Sequence, residues 1–339
     1  MKNNILFIGS FLGELKGTKG IAEKIQERLN STFNITLSSS KENQIFRLLE
    51  IIKDTIFNSY DVIHIDVYSG KAQLYANIAS FVAKKRDKRI IFNLRGGKLF
   101  EVYANNPNKM NFLSRAHTIV SPSQFLIEFF TKKDIKISYL PNYIDNDIFP
   151  YKRNSPKQYS LLWVRAFNDI YQPELAVQIV NLLKKEYPKV HLTMVGPDKG
   201  FQEKIEKLIS SLKLEKYISI IGKIPNEELY KYYQTHQIYL NTTLYESFGS
   251  AVLEAASCGI PIISTNVGEL PYIWKNGEEI LLCASNAKEF AKSITNIFQS
   301  QEFETSLSLN ARKKSEKFDW KNIKQKWINI LDDIDKKDS

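Results

Sequence analysis

The chain predicts an α/β architecture of two doubly wound, parallel-sheet domains. Two observations carry that expectation. Short β-branched runs alternate with segments of helical apolar spacing along most of the chain. A passage rich in Pro, Asn and Asp at residues 141–158 interrupts the alternation once, after which it begins again. A length of 339 residues favours two domains over one, with a boundary expected at 150/151.

In the first half, residues 4–9 (NILFIG) read as a buried strand and Ile21–Leu29 as a helix with apolar positions on one face. The opening apolar run is short, is broken by Gly9 and Gly13, and lacks a small-residue cleavage site, so a strand is preferred to a signal peptide. Strands follow at Asp61–Asp66 and Arg89–Leu94, separated by helical Gln73–Lys85. Thr118–Ser121 and Ile137–Leu140 flank a helix at Ser123–Thr131. Beyond the linker, strands are expected at Ser160–Val164, Val190–Val195, Ile218–Ile221, Ile238–Asn241 and Pro261–Ser264. Helices are expected between them at Glu174–Tyr187, Gln202–Leu212, Glu227–Thr235 and Ser250–Cys258. An amphipathic helix, Trp320–Ile334, closes the chain and is expected to pack back on the first domain, leaving 151–317 as the second. Two such units imply a cleft with ligands at the carboxyl ends of the strands.

Composition narrows the function classes. Cys258 and Cys283 make no disulfide framework, and neither a CxxC motif nor a Cys/His cluster points to zinc. The histidines, His64, His117, His191 and His236, are well separated, so no metal is expected. No run approaches the ~20 apolar residues of a membrane span, and the cytosol is the expected compartment. The net charge of +10 is uneven: residues 1–150 hold 21 Lys and Arg against 14 Asp and Glu, and the remainder 26 against 23. The basic first half suggests an anionic partner, either a membrane surface or a phosphorylated acceptor, against the alternative of a solvated lysine-rich surface.

The most informative stretch is Asn241–Gly268, which reads strand, loop, helix, Gly259 stop, strand. Glu246 lies in the loop and Glu254 on the helix. Ser247, Gly249 and Ser250 surround the helix start, where unpaired N–H groups and the helix dipole favour an anion. Glu254 projects roughly 7 Å along the axis, at ~1.5 Å per residue, about the span from a ribose to the end of its diphosphate.

These residues resemble the E-x7-E signature of retaining GT-B glycosyltransferases of family 4, the glycosyl transferases group 1. Pro141-Asn142-Tyr143-Ile144-Asp145 is similar to that family's interdomain P-N-G-[IV]-D segment, with Tyr143 in place of the glycine. Asp61-Val-Ile-His64 is similar to its D-V-[VI]-H strand, and Phe318-Asp319-Trp320 to the opening of its C-terminal helix. The resemblance implies the GT-B fold, two Rossmann-like doubly wound domains facing a central cleft. It implies that Glu246 contacts the transferred sugar, that Glu254 holds the nucleotide ribose, and that amides near Phe248, Gly249 and Ser250 hold sugar and phosphates. Arg165 matches the family's pyrophosphate arginine, whereas the lysine position holds Ile170 or Tyr171. Lys199 is the candidate replacement cation, against a solvated turn lysine.

In the first half, Lys16-Gly17-Thr18-Lys19-Gly20 resembles the family's glycine loop and implies donor contacts at Gly17 and Gly20. Arg95 stands where relatives carry His-Gly. It either faces the transferred sugar or an acidic acceptor, or anchors its own loop. His64 is read as a strand-end structural histidine or as a base on the acceptor or sugar side. The backbone near Lys223 and Ile224 is expected to select the base. Asp145-Asn146-Asp147 spells D-x-D, but its position favours a side-chain-stabilised turn over a metal site.

The expected activity is hexosyl transfer, with retention, from a UDP-, GDP- or ADP-linked sugar to a hydroxyl of a glycan or lipid-linked acceptor. Polysaccharide or lipopolysaccharide biosynthesis is the expected setting, with a peripheral position at the inner face of the membrane and no obligatory cofactor. The alternatives are a nucleotide-sugar epimerase of the same fold and a basic nucleotide- or nucleic-acid-binding protein. An NAD-dependent oxidoreductase fits poorly, because Gly9-Ser-Phe-Leu-Gly13 is not G-x-G-x-x-G.

Overall fold

The computed structural model describes residues 2–13, 19–70, 72–152 and 156–332. They form two compact units: the chain up to Asn142 together with the stretch from Ile323 onward, and Tyr143–Asn322. The boundary falls at 142/143, inside the Pro-Asn-Tyr-Ile-Asp segment and ahead of the expected 150/151, and the second unit runs on to Asn322 rather than ending at 317. Each unit holds a six-stranded parallel sheet.

The first unit runs β1 (Asn4–Ile8), α1 (Ile21–Leu29), β2 (Asn34–Ser38), α2 (Gln44–Phe57), β3 (Val62–Val67), α3 (Ala72–Lys85) and β4 (Arg89–Leu94). Then come α4 (Leu99–Asn105), β5 (Thr118–Ser121), α5 (Gln124–Thr131) and β6 (Ser138–Tyr139), in sheet order β2-β1-β3-β4-β5-β6. Every residue of β3 is buried, as a parallel strand covered on both faces requires. Leu6, Ile8, Ile63, Ile65, Ile90 and Phe92 join one core cluster. The alternate positions of β1 and β3 carry Phe7 and His64. Sequence periodicity passes over β2 and α2. β2 is an edge strand whose residues are mostly part-exposed, and α2 keeps much of its apolar surface outward, so neither has a clean inward stripe.

His64 corrects the sequence reading. It sits within β3 rather than at a strand end, fully buried, stacked on Phe7 at 4.4 Å and 5.6 Å from the Trp327 ring. Burial outweighs the nearby Asp66 charge and lowers its pKa from 6.5 to about 4. Such a histidine is a neutral core residue and not an accessible base. The unfolded chain therefore binds a proton that the folded one refuses between these values. His64's contribution is full above pH 6.5 and is lost as pH falls toward 4, a change of roughly 3 kcal/mol. We expect the melting temperature of His64→Leu to fall less over this range than that of the wild type. Parallel melting curves would remove this account.

The second unit begins with β7 (Lys157–Val164), α6 (Pro173–Leu183), β8 (His191–Val195), α7 (Gln202–Ser211), β9 (Ile218–Gly222) and α8 (Leu229–Thr235). It continues with β10 (His236–Asn241), α9 (Ser250–Cys258), β11 (Ile262–Thr265), α10 (Leu270–Ile273), β12 (Leu281–Cys283), α11 (Ala287–Gln299) and α12 (Gln301–Ser315). The sheet order is β12-β11-β10-β7-β8-β9. Leu161 and Trp163 of β7 face one core cluster, Leu162 and Val164 the other, so both faces are covered. The closing helix, α13, spans Trp320–Asp332.

Tyr143, standing for a glycine, is accommodated by packing on Trp320 at 4.7 Å. Beside it the backbones of Ile144 and Asp319 pair in a short parallel bridge. The D-x-D stretch is a turn, with Asp145 Oδ1 accepting from the Asp147 N–H at 3.2 Å. Asn146 is engaged by Asp319, Ser257 and Arg312.

Candidate functional site

The carboxyl ends of β7, β10 and β11 are wired together by side chains. Arg165 follows the last residue of β7, and its N–H donates to the Val195 carbonyl at 3.0 Å. Its guanidinium donates from Nε and Nη2 to Asn241 Oδ1, at 3.1 and 2.9 Å. Nη2 also meets Glu246 Oε2 at 2.6 Å. Asn241 ends β10 and passes its own Nδ2 to Ser264 of β11 at 2.8 Å. Tyr171 closes the other side, its ring 5.2 Å from the guanidinium carbon. Of the two residues expected at the family's lysine position, Ile170 and Tyr171, the second lays its ring against the arginine. Burial opposes the Arg165 charge, but Glu246, with smaller help from Tyr239, Tyr171 and Tyr233, leaves its pKa raised.

Glu246 is held by its loop as well as by Arg165. Thr242 Oγ1 donates to the Tyr171 carbonyl at 2.6 Å, the Leu244 N–H to the Ile170 carbonyl at 2.7 Å, and Thr265 Oγ1 to the Thr243 carbonyl at 2.6 Å. The Glu246 carbonyl accepts from the Glu269 N–H at 3.0 Å. Gly268 makes that approach possible. Its φ is +55°, and a Cβ there would lie 2.0 Å from the Glu246 carbonyl oxygen. Gly268→Ala is therefore expected to displace Glu246 and to destabilise the protein by about 2–4 kcal/mol. The melting temperature should fall; an unchanged value would disprove the close packing.

α9 starts immediately beyond this loop. Gly249, at φ +93°, makes the turn into the helix, and no side chain caps the first N–H groups. The positive helix end therefore stands beside the Arg165–Glu246 pair. Phe248 is buried in the core edge-on to Phe318, and its N–H points to Glu246 Oε1 at 3.4 Å. Farther along α9, Glu254 is nearly buried. Asn226 Nδ2 donates to its Oε1 at 3.1 Å, and the Tyr233 hydroxyl to its Oε2 at 3.3 Å. Burial, reinforced by Glu254, raises the Tyr233 pKa far above its ordinary value, so Tyr233 stays a donor. Asn241, Tyr171, Asn226 and Tyr233 were not assigned site positions from sequence. They reach the glutamates and Arg165 from the end of β10, from short turns and from α8, and no local spacing marks them.

The remaining candidates lie differently. Lys199 is exposed on the turn after β8, its N–H donating to the Phe167 carbonyl at 3.1 Å. Neighbouring Asp198 caps α7 by accepting from Gly200, Phe201 and Gln202. Lys223 is exposed, and Ile224 packs against a core cluster.

In the first unit, Gly17 falls outside the described residues. The Gly20 N–H is already taken by Glu23 Oε2 at 2.6 Å, while Glu23 Oε1 accepts from Gly13 at 2.7 Å. The amide expected for a phosphate holds a carboxylate of its own chain, because Glu23 sits at the third position of α1 and reaches back. Arg95 resolves to the anchoring alternative. It is buried, paired with Asp66 at 2.7 Å and bonded to Asn142 Oδ1 at 2.6 Å. Among the described residues, no group of three His, Cys, Asp or Glu is placed to hold a metal ion, and no helix is long and apolar enough to cross a membrane.

Residues 145–314, about half the chain, match the family described as Glycosyl transferases group 1. A 164-residue stretch is 24% identical to the phosphatidylinositol N-acetylglucosaminyltransferase GPI3 subunit of Saccharomyces cerevisiae, over 48% of this chain and 36% of that protein. Another, of 129 residues, is 32% identical to the alpha-monoglucosyldiacylglycerol synthase of Acholeplasma laidlawii, over 38% of this chain and 31% of that one. The matches thus span about a third of these relatives' lengths. The crystal structure of Anabaena HepE in complex with UDP and glucose aligns over 98% of this chain and 100% of that one, with a TM-score of 0.76 and 16% identity. At that identity the likeness establishes the fold.

Proposed function

Because the chain belongs to the glycosyl transferases group 1 family and has the GT-B fold, we propose that it is a retaining glycosyltransferase moving a hexosyl unit from a nucleotide-diphosphate sugar to a hydroxyl. The acceptor is a glycan or a lipid-linked molecule, in cell-surface polysaccharide or lipopolysaccharide assembly at the inner face of a membrane. The observation that carries this reading is the Arg165–Glu246 pair at 2.6 Å beside the uncapped start of α9.

Transfer builds negative charge on the departing diphosphate and positive charge on the sugar ring. Arg165 and the N-terminus of α9 stabilise the first, held in advance by Asn241 and Tyr171. Glu246 orients the sugar and favours the second. Glu254, fixed by Asn226 and Tyr233, takes the ribose hydroxyls. Lys199 adds a cation from its exposed turn, and the backbone at Lys223 and Ile224 reads the base. The departing phosphate oxygen accepts the acceptor's proton, so no separate base is required. UDP is the first donor to try, since the HepE structure holds UDP and glucose.

The test is a panel of UDP-, GDP- and ADP-sugars, scored for slow release of nucleotide diphosphate and for the anomeric configuration of the product. Interconversion of the sugars without release would replace transfer by epimerisation. An inverted product would remove retention alone.

A further inference from the structure

The largest concentration of exposed apolar side chains among the described residues lies on one helix. Of α2, Ile45 is 69% exposed, Phe46 63%, Leu49 56% and Phe57 77%, and Ile56 is also exposed. At 100° per residue these five occupy one arc of about 120°. The arc runs the length of the helix, some 18 Å at ~1.5 Å per residue. A contiguous apolar face of this kind marks an interaction surface.

Charge identifies what covers it. Lys53 is the charged side chain inside the arc, and it is exposed. Glu50 turns away, its carboxylate accepting from Ser40 N–H and Oγ at 2.8 and 2.6 Å. Lys41 is exposed just before the helix, beside an exposed Glu42, so the net positive charge of this face comes from Lys53 and its neighbours on the next helix. α3 lies alongside in the same direction, since Tyr75 reaches the Gln44 carbonyl and Arg86 the Thr55 carbonyl. It adds exposed Leu74 and Phe81, then exposed Lys84 and Lys85. Shallow apolar side chains rimmed by lysines whose stems run up to the charge suit the surface of an anionic bilayer.

We propose that α2 is a membrane-docking helix that lies in the interface of an anionic bilayer through Ile45, Phe46, Leu49, Ile56 and Phe57. The inference deepens the proposed transfer to a lipid-linked acceptor and rests on that reading for its purpose.

The test is co-sedimentation of the full chain with vesicles of phosphatidylcholine and phosphatidylglycerol in equal parts, and with phosphatidylcholine alone. The wild type is expected to bind the mixed vesicles, and the triple variant Phe46→Ser, Leu49→Ser, Phe57→Ser to lose about thirtyfold or more in partitioning. Lys53→Gln should lose about fivefold on the anionic vesicles and nothing on the neutral ones. Circular dichroism and donor turnover in buffer, measured on the same variants, should match the wild type, because these side chains face solvent. Equal binding by the wild type and the triple variant overturns the proposal. So does a dimer in solution that the triple variant abolishes without any vesicle binding. Vesicle binding without turnover of any nucleotide sugar would leave the docking helix standing and defeat the proposed transfer.

Discussion

Replacing Arg165 with alanine is expected to lower kcat/KM for donor turnover by about 10²–10³-fold, the range seen when one preorganised oxyanion donor is removed. The side chain is 12% exposed and meets Asn241 and Glu246 at once. Its loss leaves a part-buried carboxylate facing the leaving diphosphate as well as removing the cation. Arg165→Lys should recover little, since one ammonium cannot reproduce the fork that reaches both Asn241 Oδ1 and Glu246 Oε2. Glu246→Ala is expected to lower kcat more than it raises the donor KM, because its task falls on charge that develops during transfer. Steady-state nucleotide release, with melting temperatures as a control for folding, decides the matter. An Arg165→Ala enzyme of near wild-type efficiency would take away the central role given to this pair.

Glu254→Ala should act in the opposite sense, raising the donor KM by about 10–100-fold with a smaller change in kcat. A hydrogen bond to a charged acceptor contributes about 1.5–3 kcal/mol, and a ribose is held equally before and during transfer. Glu254→Gln separates the charge from the shape: it keeps an oxygen for Asn226 or Tyr233 but removes the anion. Intermediate weakening in Gln and the full loss in Ala would be the expected series. A Glu254→Ala protein that binds UDP as tightly as the wild type would move the ribose elsewhere.

Much of the candidate site was legible because it is local in sequence. Glu246, Gly249 and Glu254 share one loop and one helix, and helical rise alone sets their spacing. Arg165 is legible through the family resemblance, which implies an arginine after that strand. Their partners were not. Asn241, Tyr171, Asn226 and Tyr233 carry no signature of their own and become meaningful only where the ends of β7 and β10 meet α8 and the segment before it. The fold shows the same divide. Inward apolar runs such as VIHIDV and RIIFNL announce buried parallel strands. Part-exposed or outward-facing positions blur the period of β2, α2 and β12; α11 and α12 are further elements that the sequence expectations omit.

The sequence by itself determined the two-unit α/β plan and the loop-helix motif, since both rest on periodicity and spacing within short stretches of chain. Only the tertiary structure decided the fate of individual polar groups. Arg95 and His64 each carry two readings in the sequence and are buried, one against Asp66 and the other between aromatic rings. Gly20 looked open to a phosphate, and Glu23 holds its amide. The outward face of α2 is likewise apolar in a way periodicity alone does not orient. The physical reason is that desolvation and pairing depend on neighbours distant in sequence, whereas helix and strand periods depend on neighbours a few residues away.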